Sequence, residues 1–346
     1  MSGFELHCPL PGGDGDRIQL AHGGGGHKAQ RLLEQLFLPR LGGDPRQAHD
    51  AAVHPLGTER FAFTTDGYVV RPLEFPGGNI GELAVYGTVN DLLMAGAEPL
   101  ALSAAFILEE GFEQARLERI VDAMAAAAAA CGVAIATGDT KVVERGKADG
   151  CYLTTSGVGR VPAGREIHPR RVQPGDAILV TGDLGRHGIA VISARDGLEF
   201  ETAIASDCAS LQAVINPLFA ADLEIHCLRD LTRGGLASAL NEIAIAAGVG
   251  MTIREPEIPL DPGVASACEL LGLDPWQVAC EGRAVIILPM TDVPRALGIL
   301  GRNGFTDARR IGQVTAPTSA PVILETAYGS RRILEMLSGE QLPRIC

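Results

Sequence analysis

The sequence predicts an α/β (α+β) protein of two domains, and three observations carry that prediction. At 346 residues the chain exceeds the size at which a single hydrophobic core stops growing. Its composition, 46% hydrophobic and 21% charged, is that of an ordinary globular chain and excludes a disordered one. Strand-like and helix-like stretches alternate through both halves, as in layered α/β architectures. A break rich in Pro, Gly and mixed charge at 162–175 separates the halves.

Residues 1–16 are rich in Gly, Pro and Asp and are expected to form a disordered extension. The stretch AHGGGGHKAQ then leads into a helix from about Lys28. Arg60–Val70 alternates apolar with small or polar residues, the period of a strand, with Asp66 near its end. Leu83–Ala97 reads as a helix and Leu100–Leu108 as a strand. Phe112–Ala130, acidic early and alanine-rich along one face, is the clearest helix. Strands at Val133–Thr137 and Cys151–Val161 complete a first domain, 17–164.

The second domain, 165–337, opens with a strand at Ala177–Thr181. Helices follow at His187–Asp196, Asp207–Leu218, Gly235–Ala247 and Val293–Asn303. Its other strands are Met251–Ile253, Ala284–Leu288, Arg310–Val314 and Val322–Leu324. Residues 338–346 show no apolar period and read as an exposed, mobile tail ending on Cys346.

With 29 Lys and Arg against 42 Asp and Glu, the net charge is −13, which disfavours a phosphate backbone and argues against nucleic-acid binding. Polyphosphate would have to be met by backbone amides and bound cations. The start of the chain has no basic, apolar signal, and the apolar run Ala123–Ala136 is too short to cross a bilayer, so a cytoplasmic protein without a membrane partner is expected. The eight cysteines show no metal-finger or C-x-x-C spacing; apart from Cys346 they read mostly as small buried hydrophobes.

Chemistry concentrates in a few motifs. Gly23–Gly26, flanked by His22 and by His27 and Lys28, let backbone approach a ligand closely ahead of a helix N-terminus, an arrangement that favours an anion. Walker A and G-x-G-x-x-G spacings are absent. His22 and His27 lack Cys or Glu partners nearby and read as loop residues rather than zinc ligands. Asp66 (TTDGYVV), Asp91 (VNDLLMAGAEP) and Asp139 (TGDTKVV) stand in similar apolar contexts. A carboxylate there needs solvent or a cation, and three together suit magnesium and a nucleotide. His187 reads as a cap or packing residue, and Trp276 as core.

These motifs, together with RDLTRGGL (229–236), resemble the aminoimidazole ribonucleotide synthetase superfamily of ATP-using enzymes, from about Ile18 to the end of the chain. IQLAHGGGG, FPGGNIGELAVYGTVNDLLMAGAEP, FILEEG, TGDTKVVERG and the closing PRIC are similar to its hydrogenase-maturation branch, the HypE family. The resemblance implies an ATP cleft between the two domains, a flexible C-terminal tail and a homodimer formed through amino-terminal strands. It implies ATP and Mg2+ as cofactors, bound through His22, Gly23, Gly24, Gly25, Gly26, Asn90, Asp66, Asp91, Asp139 and Thr140, with Asp66, Asp91 and Asp139 on the metal.

The implied reaction loads a carbamoyl group from a HypF carbamoyltransferase onto the thiol of Cys346. ATP then activates the amide oxygen, dehydration leaves a thiocyanate, and cyanide passes to iron on a HypC–HypD complex. Loss of the amide protons needs a base, assigned by resemblance to Glu281 (ACEGRAV) and Lys141 (GDTKV). Lys141 also reads as a phosphate contact, and Glu281 as a cap or interdomain ion pair. Two other readings stand beside this one. The first is another ATP enzyme of the superfamily, a selenophosphate synthetase or small-molecule kinase, although AHGGGGHKAQ carries no thiol. The second is a nucleotide-switched scaffold that presents Cys346 as a contact.

Overall fold

The computed structural model describes residues 18–41, 49–198, 203–337 and 344–346. The expected extension at 1–16, with Cys8, and tail residues 338–343 lie outside the described residues.

The glycine run enters α1 (His27–Leu32), which continues through a π turn at Leu33–Phe37 into α2 (Leu38–Leu41). The first sheet comprises β1 (Ala52–Leu56), β2 (Glu59–Tyr68), β5 (Glu98–Glu109), β6 (Ala134–Val143) and β7 (Cys151–Val161); β3 (Glu74–Phe75) and β4 (Gly78–Asn79) form a separate small hairpin. The sheet runs β1-β2-β7-β5-β6, antiparallel except for the β5–β6 pair. Between β4 and β5 lies α3 (Ile80–Met94), and between β5 and β6 lies α4 (Gln114–Cys131). A capping box starts α3: Asn79 Oδ1 accepts from Gly81 N at 2.8 Å while Asn79 N donates to Glu82 at 2.9 Å. The α4 helix stops at Gly132, whose φ of 67° is the left-handed conformation a helix end requires. On the inward side of the sheet the alternating residues Cys151, Leu153 and Thr155 of β7 are buried.

The second domain is built on a seven-stranded sheet ordered β14-β13-β10-β12-β8-β11-β9. Its members are β8 (Asp176–Val180), β9 (Cys227–Asp230), β10 (Gly250–Arg254), β11 (Ala284–Pro289), β12 (Arg309–Thr315), β13 (Val322–Glu325) and β14 (Arg331–Ile333). The helices are α5 (Arg186–Asp196), α6 (Gln212–Ala220), α7 (Gly235–Ala247), α8 (Pro262–Leu271) and α9 (Val293–Arg302). Alternate residues of β8 feed two different cores. Ala177 and Leu179 join α6, α9 and the first domain, whereas Ile178 and Val180 pack with α7 and Trp276. The core shared by the two domains runs from Tyr68 and α3 across to Ile286 and Leu288 and includes Ile345.

Most expected elements are present within a few residues. The helix expected from Asp207 begins only at Gln212, because the preceding backbone is engaged elsewhere: Leu211 N donates to Asn90 Oδ1 at 2.8 Å and Ala209 O accepts from Asn90 Nδ2 at 3.0 Å. The short strands β1, β3, β4, β9 and β14 and the helix α8 went unpredicted; α8 carries an Asp-Pro start, with Asp261 Oδ1 capping Gly263 N at 2.8 Å. The tail is a correction. Arg344–Cys346 is not exposed but seated between the domains, with Ile345 buried.

Candidate active site

The polar centre of the cleft is built where strands end. Asp66 lies near the end of β2, Asp91 comes from α3, Asp230 ends β9, and Asp50 precedes β1. Asp50, Asp91 and Asp230 each offer an oxygen, all within 4.8 Å of one another. Thr64 Oγ1 donates to Asp91 at 2.7 Å, and Tyr68 Oη to Asp66 at 3.3 Å. Burial is the largest influence on Asp91 and Asp230 and holds both well above the usual carboxylate range; neighbouring carboxylates add to it. Two cations stand nearby: Arg229, which is shared between Glu242 and Asp50, the latter at 2.9 Å, and Arg233, which lines the same pocket. One oxygen of Asp50 accepts no hydrogen bond, with His49 Nδ1 standing 3.5 Å from it. Hard oxygen donors, excess negative charge and a buried carboxylate oxygen without a hydrogen bond together fit a hard divalent cation.

Beside this cluster stands the tail. Val69 N donates to the Cys346 backbone oxygen at 3.0 Å and Arg71 N to Arg344 O at 3.1 Å, so the tail lies alongside the chain that leaves β2. Cys346 lines a cavity of about 160 Å³ together with Gly23, Gly24, Arg233 and Leu337. Burial pushes its thiol up to about 12; Arg233 opposes that, and Glu281, Asp66 and Asp230 add to it. Glu281 is buried, with one carboxylate oxygen unpartnered, and burial followed by the charges of Asp230, Asp207 and Asp66 holds it well above the usual range.

The glycine loop closes the cavity. Arg233 donates to Gly23 O at 3.2 Å, and His27 N to Leu337 O at 3.0 Å. A Cβ on Gly26 would stand 2.1 Å from Leu337 O, so only glycine permits that approach.

Comparison with known proteins decides the lineage. Residues 48–161 match the family model AIR synthase related protein, N-terminal domain, and 173–324 match AIR synthase related protein, C-terminal domain. The carbamoyl dehydratase HypE of Rhodobacter capsulatus is 51% identical over 336 residues, 96% of this chain and 98% of that protein. A crystal structure of the hydrogenase maturation protein HypE in complex with ATP superposes with a TM-score of 0.80 at 44% identity, covering 95% of this chain and 100% of that one. HypE in a HypE–HypF complex gives 0.84 at 43% identity, covering 88% and 99%. The chain belongs to the HypE family.

Among the residues expected at a HypE site, the structure brings Asp66, Asp91, Glu281, Cys346 and the glycine loop to one cleft. It does not bring Asp139, Thr140 and Lys141 there. They lie on the exposed strand β6, where Lys141 pairs with Asp139 at 2.7 Å and Asp139 accepts from Thr140 N at 2.8 Å. The register Asp66–Thr155, Thr155–Ala104, Ala104–Gly138 puts three strand spacings, about 14 Å, between Asp66 and the neighbour of Asp139. One cation cannot touch both within a single chain. Asn90 is a second departure: its amide is committed to Ala209 and Leu211, and it ties α3 to the second domain. His22 makes its contacts with Gln19, at 3.0 Å to its N–H.

Asp50, Asp230 and Arg233 were missed as individual residues. Asp230 carried a readable signal, since RDLTRGG places a carboxylate at a strand end before glycines, as TTDG does. Asp50 carried none, because its role comes from the fold bringing 49–50 against β9.

Proposed function

We propose that this protein is an ATP-dependent carbamoyl dehydratase of hydrogenase maturation, acting on a carbamoyl group carried by its own Cys346. The observation that carries the proposal is the seating of Cys346 beside Glu281, between the glycine loop and the carboxylate cluster. A HypF carbamoyltransferase supplies the S-carbamoyl group. The amide oxygen attacks the γ-phosphorus of ATP and ADP departs; one N–H proton leaves, giving an S-bound imidate phosphate. Loss of the second N–H proton expels phosphate and leaves S–C≡N. The sum is one carbamoyl group and one ATP giving one thiocyanate, ADP and phosphate. The cyano group then passes to iron on a HypC–HypD complex, in the cytoplasm. Among the described residues, no helix is long and apolar enough to cross a membrane.

Glu281 is the proton acceptor nearest the tail in this scheme, and Arg233 faces both the thiol and the glycine loop. Asp50, Asp66, Asp91 and Asp230 would hold Mg2+, which supplies charge neutralisation for the triphosphate. The protein works as a homodimer. Support for this comes from the outer face of the first sheet, where Phe63, Ile107 and Val158 are exposed, and from β6, a ten-residue sheet edge. Lys141, Asp139 and Thr140 then serve the site of the facing copy.

The test is the intact mass of the PRIC peptide after incubation with HypF, carbamoyl phosphate, ATP and magnesium. A carbamoyl adduct that loses one water only with ATP, and is absent in Cys346→Ala, is expected. An adduct that never loses water would overturn the dehydratase in favour of a carrier.

A further inference from the structure

His187 lies in the first turn of α5, fully buried, with Phe75 set edge-on to its ring at 5.2 Å. Its two ring nitrogens face different partners. Nε2 lies 2.5 Å from the carbonyl oxygen of Ile345, and Nδ1 lies 2.8 Å from Ser206 Oγ. A carbonyl only accepts, so Nε2 carries the proton. Burial favours the neutral ring, which leaves Nδ1 as the acceptor of the Ser206 hydroxyl proton. Ser206 Oγ in turn accepts from Cys208 N at 3.0 Å, and Ser206 N donates to Pro76 O at 2.8 Å. Every group in this chain of bonds has one assignment, and it ends on the tail.

The other side of the tail is held by the first domain. Arg344 reaches Asp149 with both terminal nitrogens, at 2.5 and 2.9 Å, and donates to Val69 O at 2.9 Å. Its φ is +54°, a conformation that non-glycine residues adopt only where their surroundings enforce it. The seated tail is therefore held from the second domain by His187 at Ile345 O and by Arg195 at Arg344 O, and from the first domain by Val69, Arg71 and Asp149.

We propose that His187, oriented by Ser206, is a positioning residue that latches the reactive tail into the cleft, and that with Asp149 it makes seating of Cys346 depend on both domains at once. Neither side chain touches the reacting atoms. Their effect is on the fraction of molecules with the thiol inside.

Alkylation of Cys346 by iodoacetamide, followed peptide by peptide, reads that fraction directly without any dehydration chemistry. Loss of one neutral hydrogen bond in His187→Ala is expected to raise the Cys346 rate about five-fold. Loss of a bidentate charged contact in Asp149→Asn is expected to raise it ten-fold or more, on the order of magnitude of such pairs. Ser206→Ala, which keeps the ring but frees its orientation, should give a smaller rise in the same direction. Cys131 and Cys227, both buried and outside this network, are internal controls and should be unchanged. Unchanged Cys346 rates in all three variants would overturn the latch, as would a rise that Cys131 and Cys227 share, which is general opening.

A second arm rests on the dehydratase reading. With the tail already carbamoylated, His187→Ala should dehydrate several-fold more slowly at saturating ATP, with half-saturation by ATP unchanged and loading by HypF undiminished. If the unmodified protein does not dehydrate, the dehydratase reading fails and the alkylation result still decides the latch. If it does and His187→Ala matches it in both arms, the latch fails alone.

Discussion

Glu281→Gln separates the proton-acceptor role from the structural readings of the same residue. The carboxyl is buried, one oxygen is unpartnered, and burial and three neighbouring carboxylates all favour its protonated form. A base whose affinity for protons is raised is scarce at low pH, so dehydration should rise with pH at values above the ordinary carboxylate range and level off once Glu281 is ionised. Magnesium, by neutralising Asp230 and Asp66, should move that rise to lower pH. Glutamine keeps the shape and removes the base, and loss of a positioned base costs on the order of 10²- to 10⁴-fold in rate. Stability should move the other way. A carboxyl raised in the folded state adds stability below its unfolded pKa, and that stability is lost as pH rises through the folded value. Above that window the parent carries a buried, uncompensated charge that the variant lacks, so the variant should melt higher. The assay is a single-turnover dehydration of pre-carbamoylated protein, read as the mass of the PRIC peptide across pH, beside a thermal melt. A Glu281→Gln protein that dehydrates within a few-fold of the parent, with the same pH profile, would refute the reasoning.

Four further outcomes follow from the same geometry. Asp91→Asn removes one member of a crowded, buried carboxylate set, so without divalent cation it should be the more stable protein, by on the order of 1 kcal/mol. It should also lose the rise in melting temperature that magnesium gives the parent. Gly26→Ala drives a methyl to 2.1 Å from Leu337 O, which must displace the glycine loop; the ATP concentration for half-saturation should rise on the order of ten-fold, equivalent to about 1.4 kcal/mol, with loading by HypF unaffected. Phe63→Asp on the open sheet face should convert a dimer to a monomer by sedimentation. Mixing Lys141→Ala with Glu281→Gln protomers should then restore dehydration that each lacks alone, and failure of that mixture would return Lys141 to a role outside the site.

The fold was legible wherever a period was long enough to assert itself. β2, β5, β7 and the helices α3, α4 and α7 stand within a few residues of their expected places because each carries one buried face repeated over several residues. β9 has four residues and β14 three, too few for any period, and they exist because a neighbouring strand offers them hydrogen bonds. The site was legible as residue types and only partly as an arrangement. Asp66 and Asp91 share a cleft because β2 and α3 are packed together. Asp139 has nearly the same local sequence as Asp66, yet stands at the far edge of the sheet, and no local pattern records which strand becomes the edge. Asn90 looked like a nucleotide ligand beside Asp91, but one residue's rotation on α3 turns it toward α6, where it holds the two domains together.

The chemistry asked of Cys346 is contradictory, and the site resolves it by location. To accept a carbamoyl group the sulfur must be a thiolate, and thiolate is what the cleft suppresses: burial pushes the seated thiol to about 12, with Glu281, Asp66 and Asp230 adding to it. A seated, unloaded tail is thus chemically idle, and loading belongs to the unseated tail. Once carbamoylated, the sulfur has no proton to lose and the group it carries is neutral, so the acidic surroundings no longer oppose it. Under the proposed mechanism the same carboxylates would then work in the reaction's favour, as proton acceptor and as ligands of the cation that accompanies ATP. An acidic cleft that disables the free thiol and accommodates the loaded one sets the order of the two steps without any further switch, and the contacts of Arg344 and Ile345 hold the tail there through backbone and guanidinium groups that do not change when the sulfur is loaded.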